Sequence, residues 1–160
     1  MKKIQLITDG ACIGNPGPGG WAYILRFGDR KKEDFGYEQT TTNNRMELRA
    51  AIEGLKALRE PCEVVVVTDS QYVKRGITEW IAGWKKQGWQ KRTRDKSGSR
   101  AVLNVELWKE LEAACEPHSI SWEWVRGHAN HEDNNRCDAL ALRAAQQRIS
   151  SEKNSGFLSE

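Results

Sequence analysis

Four consecutive valines, Val64–Val67, constrain this 160-residue chain more than any other feature. A β-branched run with no polar residue at either alternating position reads as a strand buried on both faces, and such a strand needs helices above and below its sheet. The flanking sequence supplies them. Residues 40–44, Thr-Thr-Thr-Asn-Asn, form a helix-start cluster, and Leu48, Ala51, Ile52, Leu55 and Leu58 keep to one helical stripe until Pro61 ends it. Beyond the valines, Asp69-Ser70 caps a second helix whose stripe is Val73, Ile77, Trp80, Ile81 and Trp84.

Residues 3–9 alternate and predict a strand, residues 21–27 a second strand apolar enough for the sheet centre, and residues 32–39 a weaker third. These three form an antiparallel meander. Between the first two, residues 10–20 carry five Gly and two Pro, which predicts a loop. Residues 88–101 have little apolar content and read as an exposed basic loop. Leu103, Leu107, Trp108, Leu111 and Cys115 outline a further helix, Ile120, Trp122 and Trp124 a fifth strand, and Cys137, Leu140, Ala141 and Ala144 a last helix. The expected fold class is α/β: a five-stranded mixed sheet, three antiparallel strands followed by parallel returns, with helices on both faces. A single domain over residues 1–149 and a flexible polar tail over 150–160 complete the expectation.

No apolar run approaches the ~18 residues a membrane helix needs, and Met1-Lys2-Lys3-Ile4 enters the first strand without the apolar segment of a signal peptide. Cys12, Cys62, Cys115 and Cys137 contain no C-x-x-C pair, so neither a zinc cluster nor a disulfide framework is expected. The expected protein is soluble, monomeric and cytoplasmic. Its net charge of +3 is unevenly spread: residues 74–100 hold nine Lys and Arg against Glu79 and Asp95, a charge of +7, and the remainder carries 16 basic and 20 acidic groups, −4. This split suggests a polyanion on one face and a cationic ligand, such as a metal, on another.

Asp9 and Asp69 each close a predicted strand, Glu47 lies in the first turn of the helix between them, and Asp138 opens the last helix. Ligands of α/β sheets sit beyond strand ends. Taken singly, Asp69 or Asp138 is as well explained by helix capping. Four acids brought together would repel and raise one another's pKa unless divalent cations neutralise them, and all-oxygen ligation favours Mg²⁺ or Mn²⁺. Two such ions about 4 Å apart suit phosphodiester cleavage.

Thr8-Asp9-Gly10, the glycine-proline run 14–20, Thr42-Asn43-Asn44-Arg45-Met46-Glu47-Leu48, Thr68-Asp69-Ser70-Gln71-Tyr72-Val73, Trp84-Lys85-Lys86 and Trp124-Val125-Arg126-Gly127-His128-Ala129 resemble the bacterial ribonuclease H type 1 family over residues 3–146. The resemblance implies that family's fold and endonucleolytic hydrolysis of the RNA strand of RNA–DNA hybrids, with 5′-phosphate and 3′-hydroxyl ends and little sequence preference. It assigns Asp9, Glu47, Asp69 and Asp138 to two Mg²⁺ ions, with Mn²⁺ a possible substitute, and His128 to proton transfer or product release. His131 is a weaker competitor for that role, and His118 reads as structural. By the same resemblance Cys12, Gly14 and Asn15 touch the RNA strand, whose 2′-hydroxyls distinguish it from DNA. Asn43, Asn44 and Gln71 then reach the minor groove, and Thr42 belongs to a phosphate pocket. Residues 74–100 match the family's basic protrusion, where Trp80, Trp84, Lys85 and Lys86 meet the DNA strand; Trp80 and Trp84 also suit a core role.

The chain departs from the family's usual pattern in places. Gly83 stands where an asparagine is common, Asn130 where a glycine is, and Asn135 where a glutamate lies near the second metal, with Asp133 close by in sequence. The basic loop is also longer than usual.

Overall fold

A computed structural model describes residues 1–93, 95, 97–127 and 130–151. The chain runs β1 (Lys2–Cys12), β2 (Gly17–Phe27), β3 (Arg30–Thr41), α1 (Asn43–Lys56), β4 (Cys62–Thr68), α2 (Gln71–Arg75), a π-helical turn (Gly76–Trp80) and α3 (Ile81–Lys86). It continues through β5 (Gln90–Arg92), β6 (Ser99–Ala101), α4 (Val105–Cys115), β7 (Ser119–Trp124) and α5 (Glu132–Gln147). The main sheet has the order β3-β2-β1-β4-β7. β1, β2 and β3 pair antiparallel, and β4 and β7 join in parallel, the expected mixed sheet.

Adjacent residues of one strand face opposite ways, and this divides the core in two. Leu6, Leu25, Val64 and Val66 pack with Leu48, Ile52 and Leu55 of α1 and with Leu107, Trp108 and Leu111 of α4. Ile7, Ala22, Ile24 and Val67 pack with Cys137, Leu140 and Ala141 of α5. The valine run is therefore covered on both sides, except at Val65. That side chain is only partly buried, because below α5 the sheet face opens into a groove it shares with Lys3, Gln5, Glu63, Ser121 and Glu123.

Three expectations are corrected. Residues 10–20 are mostly strand: β1 and β2 stay paired as far as Cys12 and Gly19. The glycines serve close packing here, since a Cβ on Gly20 would lie 2.1 Å from the Ala141 carbonyl oxygen on α5. Residues 88–101 contain a hairpin, β5 paired antiparallel with β6, rather than an open loop. The tail is not loose from its start. The Ser150 and Ser151 hydroxyls accept the Tyr37 and Phe35 N–H groups at 3.0 and 3.1 Å, and the Ser151 N–H donates to the Phe35 carbonyl at 2.9 Å. The rest of the tail, 152–160, lies outside the described residues. Among the described residues no helix is long and apolar enough to cross a membrane.

Candidate active site

Three acids from three elements meet beyond the parallel part of the sheet. The parallel pairing of β1 with β4 ends at Ile7 and Val67, so Asp9 lies past it although β1 continues against β2. Asp69 directly follows β4. Glu47 arrives on α1, which rests against Gly10: a Cβ there would lie 2.5 Å from the Glu47 nitrogen. Only glycine lets the helix approach this closely.

Each of Asp9, Glu47 and Asp69 offers a carboxylate oxygen, all within 4.8 Å of one another. Asp9 and Glu47 are 3% and 5% exposed. Asp9 Oδ1 accepts the Gly10 N–H at 2.9 Å, whereas Asp9 Oδ2 and Glu47 Oε1 are buried without a partner among the described residues. Burial, followed by the charges of Asp69 and Asp138, pushes the Asp9 carboxyl up to about 8, against hydrogen bonds from Glu47 and Gly10 that lower it. Glu47 is likewise raised, first by burial and then by Asp9 and Asp69. Two buried oxygens without partners in an all-oxygen donor set fit a hard divalent cation.

Asp138 stands beside this group rather than within it: its charge acts on Asp9, yet it is not among the three mutually close acids. It does not open its helix, because α5 begins at Glu132. The cap there is His131, whose Nδ1 accepts the Asn134 N–H at 3.0 Å, which ties that ring nitrogen to the helix start. Likewise the hydroxyl of Ser70, not the carboxylate of Asp69, caps α2 by accepting the Val73 N–H. Asp133 does not face the acids as a substitute for the glutamate missing at Asn135. Its carboxylate takes two bonds from Arg26, at 2.5 and 2.8 Å. His118 Nδ1 accepts the Cys62 N–H at 3.1 Å, a structural role. His128 lies outside the described residues.

The residues matched to substrate contacts flank this site. The Cys12 thiol donates to the Thr41 carbonyl at 3.3 Å, and Gly14 sits in an exposed turn at φ +80. Asn15 Oδ1 accepts the Asn43 N–H at 2.8 Å. The Thr42 hydroxyl caps α1 through the Arg45 N–H at 3.3 Å. Asn43, Asn44 and Gln71 are exposed in the first turns of α1 and α2. Trp80 and Trp84 are half-buried, their ring centroids 5.8 Å apart, and Trp84 packs on the larger core. Lys85 and Lys86 are exposed, with Lys85 held by Glu112 at 2.9 Å.

A network that the sequence analysis missed joins the two halves of this surface. Arg45 donates to Asn104 Oδ1 at 3.1 Å, and Asn104 Nδ2 donates to the Tyr72 hydroxyl at 3.1 Å. Trp108 Nε1 donates to that same hydroxyl at 3.2 Å. The only sequence signal is an asparagine ahead of a helix, here in the left-handed region at φ 61.

The chain matches the family model described as RNase H over residues 1–146. It is 60% identical over 151 residues to the ribonuclease H of Solibacter usitatus, covering 94% of this chain and 100% of that one. It is 58% identical to the ribonuclease H of Herminiimonas arsenicoxydans, covering 91% and 97%. Among solved structures, LC9-RNase H1, a type 1 RNase H with the type 2 active-site motif, superposes with a TM-score of 0.84 at 32% identity, covering 98% of this chain and 79% of that one. LC11-RNase H1, solved in complex with an RNA/DNA hybrid, shares the fold at a TM-score of 0.67 and 22% identity, covering 91% and 98%. Matched from its first strand to its last helix, and identical at more than half its positions to bacterial relatives, the chain belongs to the ribonuclease H family of nucleases.

Proposed function

We propose that this chain hydrolyses the RNA strand of RNA–DNA hybrids endonucleolytically, with divalent cations, leaving 5′-phosphate and 3′-hydroxyl ends and little sequence preference. The observation that carries this reading is the set of three carboxylates with oxygens mutually within 4.8 Å, two of them holding a buried oxygen without a partner among the described residues. A cluster so charged and so poorly satisfied is suited to cations. Asp9, Glu47 and Asp69, with Asp138 beside Asp9, would hold two Mg²⁺ ions, with Mn²⁺ as a substitute. Bound there, the ions supply the positive charge that activates an attacking water and offsets charge developing on the leaving 3′-oxygen.

The protein's own contribution is orientation. The Gly10 N–H fixes one Asp9 oxygen, and the seating of α1 on Gly10 fixes Glu47 against it. Asn43, Asn44 and Gln71 read the minor groove, Cys12, Gly14 and Asn15 the RNA backbone, and Thr42 a phosphate, while Trp80, Trp84, Lys85 and Lys86 seat the DNA strand. His128 carries a proton to or from the reacting centre. The enzyme acts as a single-domain cytoplasmic monomer, as its family resemblance implies.

The test is cleavage of end-labelled RNA–DNA hybrid, double-stranded RNA and double-stranded DNA, with Mg²⁺ and with EDTA. Hybrid cut only with Mg²⁺, and only in its RNA strand, is the expected result. Equal cutting of double-stranded DNA overturns the reading, as does hybrid bound but never cut.

A further inference from the structure

We propose that Trp124 is a positioning residue for Asp69, acting through its indole N–H. The proposal rests on the reading of Asp69 as a cation ligand. β4 and β7 run parallel and their register ends at Thr68 opposite Trp124. The Val125 N–H closes the ladder on the Thr68 carbonyl at 2.9 Å. To the next carbonyl, that of Asp69, the Trp124 indole Nε1 donates at 3.0 Å. A side chain of β7 thus carries the strand's grip one residue further, onto the acid itself.

The side chain of Asp69 is met from the same segment. A Cβ on Gly127 would lie 3.1 Å from Asp69 Oδ2, so the backbone at 127 lies against the carboxylate. Residues 124–127 therefore bond Asp69 at its carbonyl and leave its carboxylate no room for a side chain at 127. Core packing does not account for the tryptophan, since Trp124 is 38% exposed and belongs to neither core cluster, whereas Trp122 packs against the larger one. Partners that orient a metal-binding group without touching the metal typically govern affinity or rate by ~10–100-fold. The indole N–H takes that role here.

Trp124→Phe removes the donor and keeps a ring; Trp124→Gln removes the ring and keeps an N–H of similar reach. Gly127→Ala, on the other side of Asp69, is the independent probe. For each variant, Mn²⁺ binding to the free enzyme is measured by titration calorimetry, beside melting temperature, KM and kcat. Trp124→Phe is expected to weaken Mn²⁺ binding about tenfold and to lower kcat at limiting metal, with KM for hybrid and melting temperature nearly unchanged. Trp124→Gln recovers most of the metal affinity, and Gly127→Ala loses it as Trp124→Phe does. Wild-type Mn²⁺ affinity in Trp124→Phe overturns the proposal. So do equal losses in the Phe and Gln variants, which assign the effect to the ring, and a loss of melting temperature that accounts for the loss of metal. Asp69→Asn is the control: if it binds Mn²⁺ and cleaves like wild type, the reading of Asp69 as a ligand fails, whatever Trp124 does.

Discussion

Asn15 Oδ1 accepts the backbone N–H of Asn43 at 2.8 Å, so the turn after β1 is fastened to the first residue of α1. One side chain thereby serves as a helix cap with its carbonyl, and its NH₂ makes no hydrogen bond among the described residues, which on the proposed function leaves it available to substrate. Asn15→Asp retains the acceptor and places a negative charge at a helix N-terminus, where it is favourable. Its melting temperature should equal or exceed that of wild type while KM for hybrid rises several-fold. Asn15→Ala should also raise KM and in addition lose about 1 kcal/mol of stability, the usual cost of a lost cap. Thermal melts and KM measured on both variants separate the two roles.

Asp9 should trade stability for activity. Its carboxyl is displaced from 3.8 to about 8, first by burial. In cation-free protein the folded state therefore keeps a proton that the unfolded chain gives up. Stability falls as pH rises from about 4 toward 8 and levels off above that. Asn at this position removes the charge without changing the shape. In EDTA, Asp9→Asn should melt higher than wild type at pH 8, with the gap closing toward pH 4. With saturating Mg²⁺ it should keep less than a tenth of wild-type cleavage. A residual rate above that level contradicts the role given to Asp9.

The acids were legible because strand ends and a helix start fix where a side chain can go: Thr8-Asp9-Gly10, Thr68-Asp69-Ser70 and the cluster before Glu47 each carry their own local signal. Tertiary partners carried no such signal. Gly10 and Gly20 read as loop residues because glycine is the common chain breaker, yet both lie in strands pressed by a helix backbone. Nothing local marks Asp133 as the partner of Arg26, 107 residues away. His131 caps the helix that carries Asp133 and Asp138, and its start at Glu132, five residues before the apolar stripe begins at Cys137, puts Asp138 inside the helix rather than at its opening. The hairpin over 90–101 escaped notice because its strands are short and wholly exposed.

The Arg26–Asp133 pair, reinforced by Arg136 on Glu33 at 2.8 and 3.2 Å, ties the start of α5 to β2 and β3. The guanidinium hydrogen bonds hold the Asp133 carboxyl below its ordinary 3.8. Its contribution is therefore full above the ordinary value and disappears as pH falls through the lowered one. Asp133→Asn should cost about 1 kcal/mol near pH 7, the upper range for a partly exposed pair, and nothing in strong acid. The double variant Arg26→Asp with Asp133→Arg should regain part of that loss. Denaturant melts across pH 2–7 provide the check.

The serines after α5 should stabilise without affecting catalysis. Ser151 Oγ donates to Asp34 Oδ1 at 2.9 Å, and the other oxygen of Asp34 takes the Tyr23 hydroxyl at 2.8 Å. Truncation after Ile149 leaves the Phe35 and Tyr37 N–H groups on the outer edge of β3 without these acceptors. The truncated protein should melt several degrees lower, consistent with ~1 kcal/mol for each lost hydrogen bond, at unchanged kcat. Truncation after Ser151 should restore most of that loss. If both truncations melt like the full chain, the serines only rest on the strand.

The basic segment should govern affinity rather than chemistry, and the structure sorts its cations. Arg75 is paired with Glu79 at 3.2 Å and Lys85 with Glu112 at 2.9 Å. Lys86, Lys91, Arg92 and Arg100 are exposed and have no acidic partner among the described residues. Lys91 and Arg100 even stand directly opposite each other in the hairpin, an arrangement that costs stability unless an anion lies between or above them. Phosphates of the hybrid fit that need. Each contact to a phosphate releases counterions, worth up to ~0.9 in the slope of log affinity against log salt. Changing Lys86, Lys91, Arg92 and Arg100 to Ala should therefore raise KM several-fold at moderate salt, flatten the salt dependence, and leave kcat at saturating hybrid nearly intact. Lys85→Ala should do less than Lys86→Ala, since its charge is already partly satisfied. The quadruple variant should also melt no lower than wild type, because a like-charge pair has been removed. Unchanged KM and salt slope in that variant would reduce the segment to a solvated face.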